Sequence, residues 1–241
     1  MNPCIIIPAR YNSSRFPGKV LVDILGKTVL TRVWEKCIKA VSPENVYVAT
    51  DDERISNYCI KNKIKYILTS SLCKTGTDRV AEASRVLKEY NYNPIINVQG
   101  DEPLVSPDSI KKIITSFNNE VLCGYSNILS NEEFISPNII KIVIDNFSYL
   151  LYASRAAIPT TKMNDFIAAY KQVCIYAFSY EHLDFFSNNP NKSKLESIED
   201  IEFLRFLENG YKIKMIEVSD NSYSVDIPSD INKIIKVLNG E

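Results

Sequence analysis

Three loops of this sequence gather the side chains that could do chemistry. The first reads Pro8-Ala-Arg-Tyr-Asn-Ser-Ser-Arg-Phe-Pro-Gly-Lys19 and places Arg10, Arg15 and Lys19 beside Ser13 and Ser14. Fixed cations and exposed backbone N–H groups are what a triphosphate needs. The loop has neither the Gly-x-x-x-x-Gly-Lys-Ser/Thr nor the Gly-x-Gly-x-x-Gly spacing. It fits an anion site and an ordinary polar connection equally well. The second is Asn97-Val-Gln-Gly-Asp-Glu-Pro103, where Gly100 permits a sharp turn and Asp101 follows it. A hard carboxylate there reads as a Mg²⁺ anchor facing phosphate, or as an Asx turn. The third is Ser224-Val-Asp-Ile-Pro228, whose Asp226 suits a second metal carboxylate or a helix cap. Thr50-Asp-Asp-Glu53 and Thr75-Gly-Thr-Asp-Arg79 complete the polar inventory.

What is scarce narrows the chemistry further. The chain has one histidine, His182, so a multi-His metal site is excluded and a Ser-His-Asp or Cys-His enzyme would rest on it alone. His182 sits where a turn enters an apolar helix and reads as structural. The six cysteines are scattered without a Cys-x-x-Cys pair, which argues against zinc and against a disulfide scaffold. They read as reduced thiols buried as small hydrophobes. Carboxylates, Lys, Arg and backbone amides must therefore run any reaction.

The elements that position these loops alternate regularly. Apolar runs at 4–7, 46–49, 66–68 and 95–98 predict strands buried on both faces. Helical patterns over 28–40, 53–61, 77–89 and 107–117 follow them in turn. Strand, loop and helix repeated four times predict βαβ units and a parallel sheet. Ligands of such sheets bind outside the carboxyl ends of the strands, so the loops after the first, second and fourth strands matter most. Beyond residue 120 strands are expected at 122–128, 139–144, 149–153, 173–178 and 213–218, with helices over 195–208 and 229–238.

A chain of 241 residues, 45% hydrophobic and 24% charged, suits one globular domain. Its 28 basic and 29 acidic side chains balance, so no nucleic-acid or membrane surface is advertised. No apolar run approaches the roughly 20 residues of a membrane helix. No signal-peptide pattern is read at residues 1–7, and a cytoplasmic location is expected.

Taken in order, these motifs resemble the CMP-sugar synthetases, most closely the 3-deoxy-manno-octulosonate (KDO) cytidylyltransferases. The similarity runs through Pro8–Lys19, Ala49-Thr-Asp-Asp52, Thr75–Arg79 and Asn97–Pro103. It continues through Leu151-Tyr-x-Ser-Arg155 with Ile158-Pro159, and Val225-Asp226. It implies an α/β, Rossmann-like nucleotide-diphospho-sugar transferase sandwich, with a mostly parallel sheet and a protruding β-element. The whole chain, 1–241, would be one cytidylyltransferase domain, with residues 145–180 as a β-rich element for the acceptor and for homodimer pairing. The implied reaction joins CTP and a sugar acid, giving CMP-sugar acid and pyrophosphate for bacterial surface polysaccharide. The resemblance implies Arg10, Ser13 and Lys19 on the triphosphate, Asp101 and Asp226 on Mg²⁺, and Ala9, Arg79 and Gln99 near the nucleoside. Arg10, Lys19 and Asp101 would be the catalytic groups.

The acceptor side departs from the family pattern. Arg155, Gln172, Tyr176, Glu202 and Phe203 occupy the matching positions, but Gln172 stands where a His is expected and Phe203 where a Gln is expected. Gln cannot carry the positive charge that His can bring to a carboxylate. The expected acceptor is KDO. The alternatives are the same transfer to a modified octulosonate, a nonulosonate or another acid, and a non-catalytic nucleotide binder.

Overall fold

Residues 1–219 and 223–240 are described by this computed structural model, which carries eleven strands and nine α-helices among them. The strands form where apolar runs can be buried on both faces. Cys4–Pro8 (β1), Val46–Thr50 (β4) and Ile95–Val98 (β6) are buried throughout, and Tyr66–Leu68 (β5) lies at the edge. All four pair in parallel, in the order β6-β1-β4-β5. Between β1 and β4 lies a two-residue-strand hairpin, Asp23–Ile24 (β2) and Lys27–Thr28 (β3), turning at Leu25 and Gly26 with positive φ. That turn geometry matches the twist of a tight hairpin.

The helices cover both faces. Val29–Cys37 (α1), Glu53–Lys61 (α2) and Pro107–Thr115 (α4) lie on one face, with Leu30, Val33, Ile55, Cys59 and Ile113 packed on Ile5, Ile7, Val48 and Val98. Gly76–Val86 (α3) lies on the other, where Val80 and Ala83 join Cys4, Ile6 and Ile95. Successive residues of β1 thus feed opposite cores, as strand alternation requires. Each fully buried Ile contributes about 1.5–3 kcal/mol.

Past residue 120 the sheet continues with mixed direction. Val121–Asn127 (β7), Tyr170–Phe178 (β10) and Ile213–Glu217 (β11) extend it in the order β11-β7-β10-β6. β10 runs antiparallel to β6 and β7, with a register shift between Val173 and Tyr176. Its first residues also pair with Lys141–Ile144 (β8), which forms a ribbon with Leu150–Ser154 (β9). The short helix Asn131–Ile135 (α5) precedes β8. Tyr180–Asn188 (α6) follows β10, opened by a capping box in which Ser179 and the His182 ring bond each other's end. His182 is structural, its ring packed edge-on against Phe206 and Tyr211.

One helix expectation is corrected. Residues 195–208 form two helices, Lys194–Glu199 (α7) and Leu204–Glu208 (α8), with Asp200 between them in the left-handed region at φ 53°. The break serves two carboxylates at once. Glu199 accepts from Ser154 Oγ at 2.6 Å and Arg155 N at 2.9 Å, while Glu202 reaches α3. A continuous helix would not aim both. The last helix is Asp230–Asn239 (α9). Among the described residues no helix is long and apolar enough to cross a membrane.

Candidate active site

The first loop is built to return Lys19 to the end of β1. Tyr11 carbonyl oxygen accepts from Ser13 N at 3.0 Å and Gly18 N at 2.8 Å, closing the loop on itself. Gly18 has φ +72°, and a Cβ there would lie 2.9 Å from the Tyr11 ring. Only glycine suits that position. Arg54 covers the ring's face at 3.3 Å, held by Asp52. The loop therefore delivers a buried ammonium, with Lys19 only 8% exposed.

Lys19 Nζ lies 2.5 Å from Asp101 Oδ2 and 3.1 Å from Asp226 Oδ1. Arg15 Nη2 adds a second cation 2.9 Å from the same Asp226 oxygen. Burial works against the Lys19 charge, but the two carboxylates more than offset it and raise its pKa. Asp101 and Asp226 come together because Val225 N donates to the Asp101 carbonyl at 2.8 Å, seating the late segment on the end of β6. Gly100 allows the closeness on the other side. A Cβ there would lie 2.7 Å from the Pro8 carbonyl oxygen.

These groups border a cleft at the carboxyl ends of β1 and β6. Ala9, Arg10, Lys19, Arg79, Gln99 and Asp101 all line it, together with Gly76 and Glu202. Arg79 is buried, its guanidinium 3.1 Å from Asp51 and 2.5 Å from Thr69 Oγ1. Thr75 and Asp78 cap α3 reciprocally, and Glu202 accepts from Gly76 N and Thr77 N, both at 2.9 Å. A carboxylate on a helix N-terminus is favoured by the helix dipole. Burial nevertheless raises the Glu202 pKa, against the pull of those two amides. Asp200 also lines the cleft, its carboxyl held below the usual range by Lys192, with Arg10 adding to the effect.

A second, broader groove of about 720 Å³ lies beyond Asp226, lined also by Arg15, Glu102, Lys171, Gln172 and Cys174. Gln172 Nε2 donates to the Tyr176 hydroxyl, and its Oε1 is buried without a partner. Tyr176 lies beneath, 5% exposed, its phenol pushed well up by burial.

Tyr176 and three further residues singled out from sequence line neither space. Ser13 stays in the first loop, bonded through its amide. Arg155 is spent on backbone carbonyls, those of Glu199 at 2.6 Å, Pro137 at 2.9 Å and Asp200 at 3.2 Å. Phe203 is 2% exposed with its ring 6.2 Å from that of Tyr176. An aromatic side chain at that position takes the core instead of the cleft, as its transfer free energy directs. Conversely, Lys192 reaches the cleft from a polar stretch that carries no motif, and Asp200 reaches it from the break in the expected helix. Behind them Arg205, 1% exposed, bonds Glu196 through two 2.7 Å contacts and Asp78 at 2.9 Å, tying α8 to the start of α3. Nothing in the local pattern marks that network.

The carboxylate pair suits a hard divalent cation. Among the described residues no three His, Cys, Asp or Glu side chains converge as a cage. Mg²⁺ is commonly held by one or two carboxylates and completed by substrate phosphates and water. Asp101, which lines the cleft with Arg10 and Lys19, and Asp226, which meets Lys19 from the neighbouring groove, match that donor set.

Comparison with known proteins bears on the family and the fold. The cytidylyltransferase family profile matches residues 4–214. A 3-deoxy-manno-octulosonate cytidylyltransferase of Zea mays is 38% identical, over 95% of this chain and 78% of its own length. An 8-amino-3,8-dideoxy-manno-octulosonate cytidylyltransferase of Shewanella sp. (strain W3-18-1) is 39% identical over 97% of both. The solved structure of a CMP:2-keto-3-deoxy-manno-octonic acid synthetase complexed with CTP superposes with TM-score 0.87 at 31% identity, covering 100% of this chain and 99% of that one. Its likeness extends the expected α/β architecture, with a mostly parallel central sheet, over the whole chain.

Proposed function

The chain belongs to the cytidylyltransferase family, and from that premise we propose that it transfers CMP from CTP to the anomeric hydroxyl of 3-deoxy-manno-octulosonate. The observation that carries this reading is the meeting of Asp101 and Asp226 on Lys19 at the mouth of a cleft lined by Arg10, Arg79 and Gln99. The anomeric oxygen forms a bond to the α-phosphorus as the α–β bridging P–O bond breaks. Pyrophosphate leaves with that electron pair, and the hydroxyl proton passes to solvent. Such a transfer needs alignment and charge neutralisation more than an acid–base residue.

In this reading Arg10 and Lys19 bind the triphosphate, and Ala9, Arg79 and Gln99 border the nucleoside. Asp51 and Thr69 fix the Arg79 guanidinium so that it meets the base already oriented. Asp101 and Asp226 would hold Mg²⁺, which supplies neutralisation of the phosphate charge. Glu202, fixed on the start of α3, and the Gln172–Tyr176 pair on β10 would present the acceptor. Arg155 acts behind them, fastening the α7–α8 turn through its three carbonyl bonds.

A second reading keeps the chemistry and changes the acid. The Shewanella relative is named for the 8-amino octulosonate and matches as well as the KDO enzymes do. Gln172, replacing the expected His, supports a changed acceptor pocket. The reading further includes a cytoplasmic homodimer paired through the β-rich element of residues 145–180, serving lipopolysaccharide or capsule synthesis. The test is pyrophosphate release with CTP, Mg²⁺ and KDO, beside the 8-amino acid and other 2-keto-3-deoxy acids. Release with KDO above the rest supports the first reading. Release with another acid alone moves the substrate to that acid, and no release with any acid rejects cytidylyl transfer.

A further inference from the structure

The chain's own cations neutralise the carboxylate pair. Asp101 and Asp226 carry two negative charges, and Lys19 and Arg15 supply two positive ones at 2.5–3.1 Å. The Lys19 ammonium bridges one oxygen of each carboxylate and is itself buried. A Mg²⁺ or Mn²⁺ ion needs carboxylate oxygens at about 2.0–2.2 Å. It would have to take the space between the same oxygens. With the ammonium in place the two cations would stand a few ångströms apart in a half-buried site, where like charges repel. The protein also offers too few ligands to complete a coordination shell alone, since no third acidic, His or Cys side chain converges there among the described residues.

A nucleotide triphosphate changes both conditions. Its oxygens offer the ammonium another partner within the same cleft, and its charge removes the excess a divalent ion would create. We infer that Lys19 is a resident counter-ion that keeps divalent metal off Asp101 and Asp226 until nucleotide phosphates engage it. Metal then enters this site with the nucleotide and not before it. The inference rests on the cytidylyl-transfer reading of the same cleft. Lys19 is here a positioning residue, acting on the carboxylates in the free state.

The test is direct binding of Mn²⁺ to the full chain without nucleotide, followed by the paramagnetic resonance of free Mn²⁺. Wild type is expected to bind weakly. Lys19→Met should bind about tenfold more tightly or better, because the competing charge is gone. Lys19→Arg should behave as wild type, and Lys19→Met with Asp101→Asn should lose the gain, placing the bound ion at this pair. Wild type binding Mn²⁺ as tightly as Lys19→Met overturns the inference, as does Lys19→Arg binding like Lys19→Met. Circular dichroism checks each fold, and Lys19→Gln replaces Lys19→Met if the latter does not fold. The wild-type titration stands without any variant, since micromolar Mn²⁺ binding in the absence of nucleotide would by itself refute the proposal. Pyrophosphate release from CTP is measured on the same wild-type preparation. Turnover with equal Mn²⁺ binding sinks only the counter-ion role, whereas no turnover with any acceptor sinks the functional reading.

Discussion

Replacing Gly100 by alanine should damage the site through a single methyl group. The added Cβ would lie 2.7 Å from the Pro8 carbonyl oxygen, 3.4 Å from Ile7 Cγ2 and 3.5 Å from Ala9 Cβ. Carbon–oxygen contacts in folded proteins settle near 3.3–3.6 Å, so the ends of β1 and β6 must part by about 0.6–0.9 Å. The obstacle is backbone, and Pro8 is itself held in register with Ala49 on its far side. Overpacking of this kind costs about 1–3 kcal/mol. For a chain of this length that is a melting-temperature drop of roughly 2–12 °C. Asp101 is the next residue and moves with the strand end, relative to a Lys19 partner now at 2.5 Å. Displacements near 1 Å at a reacting centre cost on the order of 10²-fold, so kcat for pyrophosphate release should fall by about 10- to 100-fold. A Gly26→Ala control separates geometry from stability. Gly26 also has positive φ, but nothing lies within 4 Å of its Cβ position, in a hairpin turn that does not line the cleft. It should lower stability by about 1 kcal/mol with kcat unchanged. Gly100→Ala with kcat within about twofold of wild type, and a melt within the ordinary scatter of surface substitutions, would refute the reasoning.

Asp101→Asn should keep the fold and lose most turnover, on the order of 10²-fold or more, and wild-type rates would sink the metal assignment. Glu196→Ala leaves one side of the buried Arg205 guanidinium unpaired, which should cost about 3–5 kcal/mol, read as a fall of roughly 6–20 °C in a thermal melt. Phe203→Gln should lower stability by about 2–4 kcal/mol while leaving the order of acceptor preference as it was, since the ring lies in the core; a changed preference would mean it faces the acceptor after all. Burial lowers the His182 pKa below its ordinary 6.5. A folded-state pKa below the unfolded one means that the unfolded chain takes up the proton first. Stability contributed by neutral His182 is therefore complete above about pH 6.5 and declines as pH falls through its folded pKa. Denaturant titrations from pH 7.5 downward should show that decline, and His182→Asn should flatten it.

Much of this architecture was readable from the chain because the signals were local. Strands at 46–50, 66–68 and 95–98 and the helix at 53–61 stand almost where the apolar runs and the helical pattern place them. The cleft lies at the strand ends where βαβ logic puts it. Local signals failed where distant partners decide the conformation. The α7–α8 break depends on Ser154 and on the start of α3, neither near it in sequence. Phe203 and Arg155 illustrate the same limit. Matching a position in a pattern identifies a residue, but burial against Tyr176, or three free carbonyls within reach, decides what that residue does.

The docking of Val225 on Asp101 also has a consequence for how the protein is made. The two acidic groups of the site are 125 positions apart, and the second emerges only after β11 has been synthesised. The residues of β1, β4, β5 and β6 leave the ribosome long before Asp226 does. At that stage Lys19 has one of its two anionic partners and Arg15 has none there. An unfinished chain thus presents a basic pocket without the paired acids that the proposed transfer needs. Docking of the late segment onto the end of β6 is the step that brings the second acid of the proposed site to Lys19. For the proposed transfer, a fragment that stops before Asp226 lacks one acid of the pair.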